Sequence, residues 1–331
     1  MSARASIYDV ADAAGVSAAT VSRVMNGSRL IGEEARRRVE QAARRLGYAP
    51  RRVRRQRERS ILNVKLVLPR HEHGLKRLFY DFSELADGLR LGFAPCEVNL
   101  VTEVSRRGFD PFPHKKGGDI DAFVFAFQRP NGRLVREIRA RGAEVVVLNR
   151  LVEGVPHVCC DDRNGMRQLA GHLSERGACT NIAFLGYEGI EDVLAERLVG
   201  FEEGARQHGL NFHASRDVYR FRSPGEVSGA EVRRLLQKGW LTFVCVNDVL
   251  GAVVLQLLRE CNCVVPGEVR VSGFDDSPVR ALVRPELTTV SMPVSDLARC
   301  AGRHLQAVLV DQEEFPESVK LQGKLLVGAT T

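Results

Sequence analysis

The chain has 331 residues, with 48 Lys+Arg against 41 Asp+Glu for a formal net charge of +7, and 44% of it is hydrophobic. At about 150 residues per domain this is room for two domains with a substantial core, and the ordinary charged (27%) and aromatic (6%) fractions exclude global disorder and a collagen-like fibre. No run reaches the roughly 18 to 20 consecutive apolar residues of a membrane span, and MSARASIYDVADAAG lacks the apolar core of a secretion signal, so a cytoplasmic protein without membrane contact is expected.

In chain order, the first 60 residues hold 14 Arg, no Lys and six acids, a net +8, whereas the other 271 are net −1. A basic end on a near-neutral body points to a polyanion partner for one small module, the alternative being a solvated charged tail. Ser6-Ile7-Tyr8-Asp9 has the form of a capping box and opens a helix with Ile7, Val10, Ala11 and Ala14 at helical spacing. Gly15-Val16-Ser17 makes the turn: Gly15 permits positive φ, Val16 plugs the angle and Ser17 caps the next helix. That helix, 18 to about 26, turns Val21 and Val24 inward and leaves Ala18, Ala19, Ser22 and Arg23 on its exposed N-terminal face. Two short helices joined this way form a helix-turn-helix. A third, about 32 to 47, packs Val39, Ala42, Ala43 and Leu46 back and keeps Arg36, Arg37, Arg38, Arg44 and Arg45 outside.

YDVADAAGVSAATVSRVMNG, followed by a helix ending in LGYAP, resembles the DNA-binding head of the LacI/GalR repressor family, nearly continuously over 6–50. The resemblance implies that the second helix lies in the major groove of a double-stranded operator. Arg23 then suits a bidentate contact with guanine, while Ala18 and Ala19 offer apolar contact to a thymine methyl. Tyr8, Ser17, Thr20, Ser22 and Asn26 hold phosphates, which sets register but carries little sequence information. For Thr20 and Ser22 the alternative is an ordinary polar helix surface.

RRVRRQRERS, after Pro50, departs from the family, whose hinge helix inserts a leucine into the central base step of the minor groove. Val53 keeps the apolar hinge contact, Arg54 adds to the basic run, and the leucine position falls on Arg57. An apolar wedge unstacks bases, whereas arginine reads a narrow, electronegative groove. The expectation is a hinge that enters the minor groove but kinks DNA less or differently; a disordered hinge on phosphates is the alternative. Six arginines within 51–59 make binding salt-sensitive.

From Ile61, strands are predicted at 64–68, 122–127, 144–148, 181–185, 242–246 and 269–273. Helices are predicted at about 77–93, 131–141, 163–176, 192–208, 225–238, 248–261 and 294–310. Strand-helix alternation predicts a parallel sheet covered by helices. No GxGxxG follows the first strand, and neither GxxxxGK[ST] nor GxSxG occurs, so no cofactor and no catalysis are expected. The eight cysteines form no C-x-x-C pair and several lie in apolar runs, as befits a reducing compartment. His71-Glu72-His73 has no partner cluster at metal-ligand spacing. Asp161-Asp162 and Asp275-Asp276 end apolar runs and favour loop capping over acid-base chemistry.

DDRNG (161–165), RLVGF (197–201), VCVNDVLGA (244–252) and VSGFDDSPVRALVRPELTTV (271–290) look like landmarks of the family's effector-binding body, which is similar to periplasmic sugar-binding proteins. The implied fold is an N-terminal all-α helix-turn-helix head (1–50), a basic hinge (51–60) and an α/β periplasmic-binding-protein-like body of two Rossmann-like lobes (61–331). The N-lobe is placed at 61–158 and 291–318, and the C-lobe at 159–290 and 319–331. Arg197, Asn247 and Asp275 match sugar-contacting motif positions. Strand-end capping is the alternative for Asn247 and Asp275, and a surface helix for Arg197. PRHEHGLKRLFYDF departs from the family pattern, making His71, His73 and Phe82 candidate effector contacts, and Asn149 stands where an acid is common. Basic groups around His71 suggest an acidic or phosphorylated ligand, or a merely solvated loop.

The implied function is a homodimeric repressor of carbohydrate uptake or catabolism genes, bound to an inverted-repeat operator and controlled by a sugar, sugar phosphate or sugar acid. No leucine heptad follows LLVGATT, so a dimer is the default over a tetramer. A transport-type binding protein, an α/β enzyme and an effector-independent architectural DNA binder are the competing classes.

Overall fold

A computed structural model describes residues 7–17, 20–21, 24, 32–46, 48, 61–70, 78–106, 108–112, 120–177, 181–313 and 315–331, with the backbone alone for residues 7 and 8. The chain divides into two compact units, Met1–Arg59 and Ser60–Thr331.

In the first unit α1 (Ile7–Ala14) and α2 (Glu33–Arg45) flank a helical turn that includes Thr20, Val21 and Val24. Val10, Ala11, Ala14, Val21, Val24, Val39, Ala42 and Ala43 make one apolar cluster, with Val16 and Tyr48 packed on it. Leu46, expected in this core, is instead exposed. It is the C-cap residue that follows α2. Glu33 and Glu34 begin α2 and Arg44 and Arg45 end it, each pair complementing the helix dipole.

The second unit is built on two parallel sheets. The N-lobe sheet runs in the order β11-β5-β4-β3-β1-β2, comprising β1 (Ile61–Leu68), β2 (Glu97–Val104), β3 (Ala122–Ala126), β4 (Glu144–Leu148), β5 (His157–Cys160) and β11 (Ser318–Leu321). All five pairings are parallel. The C-lobe sheet runs β7-β6-β8-β9, from β6 (Ile182–Tyr187), β7 (Val218–Phe221), β8 (Thr242–Cys245) and β9 (Arg270–Ser272), again parallel. A short antiparallel pair, β10 (Thr289–Val290) and β12 (Leu325–Leu326), stands beside them.

Parallel neighbours need crossovers, and helices supply them: α3 (Phe82–Gly92), α4 (Gly132–Ala140), α5 (Asp162–Glu175), α6 (Glu191–Gln207), α7 (Ala214–Asp217), α8 (Gly229–Gln237), α9 (Asp248–Glu260) and α10 (Val294–Gln306). The central strands β3, β6 and β8 are buried along their whole length and read as the unbroken apolar runs that mark a covered parallel sheet. β2, β7 and β11 are edge strands with exposed or half-exposed positions, and β5 has only four residues. They lack the apolar runs that betrayed the others.

Several boundaries move. The lobe limits expected after residues 158 and 318 fall inside β5 and β11, so the chain leaves the N-lobe sheet at Cys160 and Leu321. The helix expected from 225 starts at Gly229, preceded by a 3-10 turn at Pro224–Glu226, and the helix expected to 310 widens into a π turn at Ala307–Asp311. Among the described residues no helix is long and apolar enough to cross a membrane, and no cluster of His, Cys, Asp or Glu could hold a metal.

Candidate functional site

In the head, the turn between α1 and the next helix follows from three residues. Gly15 takes φ +62°, and the N–H of Val16 reaches the carbonyl of Ala11 at 3.0 Å, a Schellman-type stop. Ser17 then caps the second helix, its Oγ accepting from the Thr20 N–H at 3.1 Å and lying 2.9 Å from Thr20 Oγ1. Both hydroxyls thus help to build the helix start as well as facing outward there. Tyr8 is on α1. Ala18, Ala19, Ser22, Arg23 and Asn26, the hinge residues Val53, Arg54 and Arg57, and His71 and His73 lie outside the described residues.

In the body, a cleft of about 510 Å³ opens at the carboxyl ends of strands from both sheets, the place where open α/β sheets bind ligands. Its N-lobe wall is Pro69 and Arg70 after β1, Phe127, Gln128 and Arg129 after β3, and Asn149 and Arg150 after β4. Its C-lobe wall includes Tyr187, the start of α6, Arg197, Asn247 and Asp275.

Arg197 is the best-anchored side chain there, 2% exposed. Its Nε donates to Asp162 Oδ1 at 3.1 Å, Nη1 to the Val246 carbonyl at 2.6 Å and Nη2 to Asp275 Oδ1 at 2.6 Å, while the guanidinium lies 3.8 Å over the Phe274 ring. Burial alone would lower its pKa, but Asp162 and Asp275 outweigh burial and raise it. Burial pushes Asp162 upward against the pull of Arg197 and raises Asp275 to about 6. Asp275 sits at φ +105° and is tied into the lobe crossings, its N–H on the Val290 carbonyl and its carbonyl taking the Met292 N–H. Its second carboxylate oxygen has no partner among the described residues. Buried Asp248 fixes this loop from beneath, accepting from the Ser277 N–H at 2.8 Å and Thr289 Oγ1 at 2.5 Å.

Asn247 caps α9, Oδ1 accepting from the Leu250 N–H at 3.1 Å, and donates from Nδ2 to Tyr187 Oη at 2.7 Å. Burial raises the Tyr187 pKa to about 12, so the hydroxyl stays neutral. Asn149 takes φ +51°, a left-handed conformation that Asn tolerates. Its Oδ1 accepts the Cys160 N–H at 3.0 Å and its Nδ2 points at Met292 Sδ, a weak acceptor. The paired acids resolve differently: Asp161 caps α5 through the Asn164 N–H, whereas Asp162 joins Arg197.

The structure therefore brings Asn149, Arg197, Asn247 and Asp275 to one cleft from four separate elements. Phe82 is not among its walls. It opens α3 and is 45% exposed, while Phe79, three residues earlier, faces the cleft beside Phe127 with ring centroids 5.1 Å apart.

The model of bacterial regulatory proteins, lacI family, matches residues 6–51, and that of a periplasmic binding protein-like domain matches residues 170–331. An uncharacterized HTH-type transcriptional regulator in the aml 5' region of Streptomyces limosus is 30% identical over 348 residues, covering 98% of this chain and 94% of that protein. The chain belongs to the lacI family of bacterial regulatory proteins. Among solved structures, a transcriptional regulator CelR-cellobiose complex matches this lacI-family chain at 25% identity and TM-score 0.66, covering 99% of it and 100% of CelR. The lac repressor dimer bound to operator and the anti-inducer ONPF shares the fold at TM-score 0.63 and 18% identity, over 99% of each chain. This lacI-family protein is a DNA-binding transcriptional regulator with a periplasmic-binding-protein-like body, and its family is one of regulators rather than enzymes.

Arg150, Asp192, Tyr187, Phe79 and Phe127 also line the cleft of this lacI-family protein and were not singled out from sequence. The available signal was positional, since Phe127 ends one predicted strand and Arg150 and Tyr187 each stand two residues beyond another. Asp192 begins a helix on the far lobe, and only the closure of the two lobes places it beside Arg150.

Proposed function

We propose that this protein is a repressor of carbohydrate uptake or catabolism genes, bound as a homodimer to an inverted-repeat operator and controlled by a sugar-like effector in the interlobe cleft. The observation that carries the reading is the pairing of a lacI-family head with a cleft that converges Asn149, Arg197, Asn247 and Asp275 on one volume. Polyols suit such a site, because each hydroxyl needs a donor and an acceptor at fixed positions, and amides and carboxylates provide both. The cleft spans both sheets, so a ligand that prefers one lobe arrangement shifts that equilibrium, and only its differential affinity alters DNA binding. That the similar regulator CelR was solved as a complex with cellobiose supports a carbohydrate as the effector class.

The reading is tested by footprinting the full-length protein on DNA upstream of its own and neighbouring genes, with and without sugars. The expected result is protection of a twofold-symmetric site that changes with one class of sugar. Equal affinity for that DNA and for scrambled duplex, insensitive to every sugar, overturns it and leaves an architectural binder.

A further inference from the structure

We propose that the effector is anionic, a sugar carrying a carboxylate or phosphate group, and that this group docks on the guanidinium of Arg150, with Arg129 and Arg70 at the mouth of the cleft. The inference rests on reading the cleft as an effector site and narrows its ligand.

The two walls differ in how their charges are spent. On the C-lobe wall Arg197 is clasped by Asp162 and Asp275, so that cation is fully answered from within the protein. On the opposite side Arg129 Nη2 and Arg150 Nε approach the same carboxylate oxygen, Asp192 Oδ2, at 3.1 and 3.5 Å. One carboxylate thus serves two guanidiniums, and Arg70 makes no ion pair among the described residues. Glu191, the other acid of this rim, turns Oε1 to the Gly189 N–H at 2.6 Å.

Arg150 is the deepest of the three, its side chain 12% exposed against 52% for Arg129. A guanidinium has five N–H donors and stays charged at any physiological pH. Among the described residues Arg150 makes one hydrogen bond, from Nη1 to the Asn149 carbonyl at 2.6 Å, and its contact with Asp192 is longer than a charge-assisted hydrogen bond. Most of its fork therefore lacks an acceptor among the described residues. Burial lowers its pKa despite the nearby acids, the sign of a cation whose lost hydration is incompletely replaced. A planar oxyanion restores that balance with two parallel hydrogen bonds, which a neutral hydroxyl does not.

Backbone geometry adds to this. The 17-residue helix α6 begins on the same rim, where 190–193 line the cleft, and its N-cap Ile190 supplies no side-chain acceptor. The positive end of that helix faces the volume beside Arg150. The Phe79 and Phe127 rings give an apolar face for the carbon skeleton of a sugar, and Asn149, Asn247 and Tyr187 provide for its hydroxyls.

The test is calorimetric titration of the full-length protein with pentoses and hexoses, each as the neutral sugar, its aldonic or uronic acid and its phosphate ester. The acid or the phosphate of one sugar is expected to bind at least about tenfold more tightly than its neutral parent, as expected for charge-assisted hydrogen bonds, with affinity falling as salt rises. Whether acid or phosphate leads identifies the anion. Arg150→Gln abolishes that preference; Arg150→Lys, which keeps the charge and protects the fold, reduces it without abolishing it, and exposed Arg129→Gln reduces it less than Arg150→Gln does. Neutral parents binding as tightly as their anions overturn the inference while the effector cleft stands, as does unchanged anion affinity in both Arg150→Lys and Arg129→Gln. Silence from the whole panel, with operator binding intact, overturns both readings.

Discussion

Arg197 shows what a single side chain contributes when it is fully buried. Two carboxylates and a carbonyl hold it, so its removal strands Asp162 and Asp275 in the interior as unpaired charges. Arg197→Met is expected to cost about 3–5 kcal/mol by urea denaturation, most of it from the stranded acids, and Asp162→Asn in the same chain should recover part of it. Asp275 makes a pH-dependent contribution of definite sign. Its folded pKa lies near 6 against an ordinary 3.8, so between these values the folded state binds more protons than the unfolded one. Its contribution therefore falls as pH rises from about 4 to about 6. Asp275→Asn should remove that component, seen as a more positive slope of unfolding free energy against pH than the wild type shows across this window; an identical slope contradicts the raised value. Arg197 and Asp275 were recognisable as motif positions, but their mutual pairing was not, because 78 residues separate them.

At the scale of elements, the position of α6 decides where Arg197 and the cleft rim stand. α6 packs on α5 through Gly200, against the backbone of Arg163, and Gly204, against Ala170 and the backbone of Arg167. A Cβ at residue 200 collides with backbone, which cannot rotate away. Gly200→Ala is expected to destabilise the body by about 1–3 kcal/mol and to weaken effector binding while leaving the head's helicity unchanged, measured by denaturation and titration. In the head, Ser17→Ala removes the cap on the second helix and should cost about 1 kcal/mol in thermal unfolding. Elements with an unbroken apolar run, such as β3, or with apolar positions at helical spacing, such as α9, were legible in the sequence. β2 and β11 were not, since an edge strand needs no continuous apolar run and gains its identity only from the neighbour it pairs with.

At the scale of the whole molecule, the proposed function links effector and operator through one equilibrium. If the effector changes operator affinity by some factor, operator must change effector affinity by the same factor, so titrating effector with and without operator should return equal ratios. The hinge adds a salt signature. Each of Arg54→Gln and Arg57→Gln should reduce the slope of log affinity against log salt by roughly 1.8 for the proposed dimer, which carries each arginine twice, if that arginine neutralises a phosphate. Arg57→Leu should bend operator DNA more than the wild type in circular-permutation gels, because an apolar wedge unstacks a base step where arginine does not; equal bends reject this view of the hinge.

Two things were decided by sequence alone. The head was legible because a helix-turn-helix is local: Gly15, Ser17 and the apolar positions that pack its core lie within 40 residues of one another, and each acts through neighbours in the chain. The parallel α/β class was legible because buried strands must be apolar throughout. What tertiary structure decided was which residues share the cleft. Phe79 rather than Phe82 on the cleft wall, the shared Asp192, the Arg150 fork with few acceptors among the described residues and the Arg197 clasp all depend on which separate elements the fold brings together, and no periodicity within any one segment encodes that.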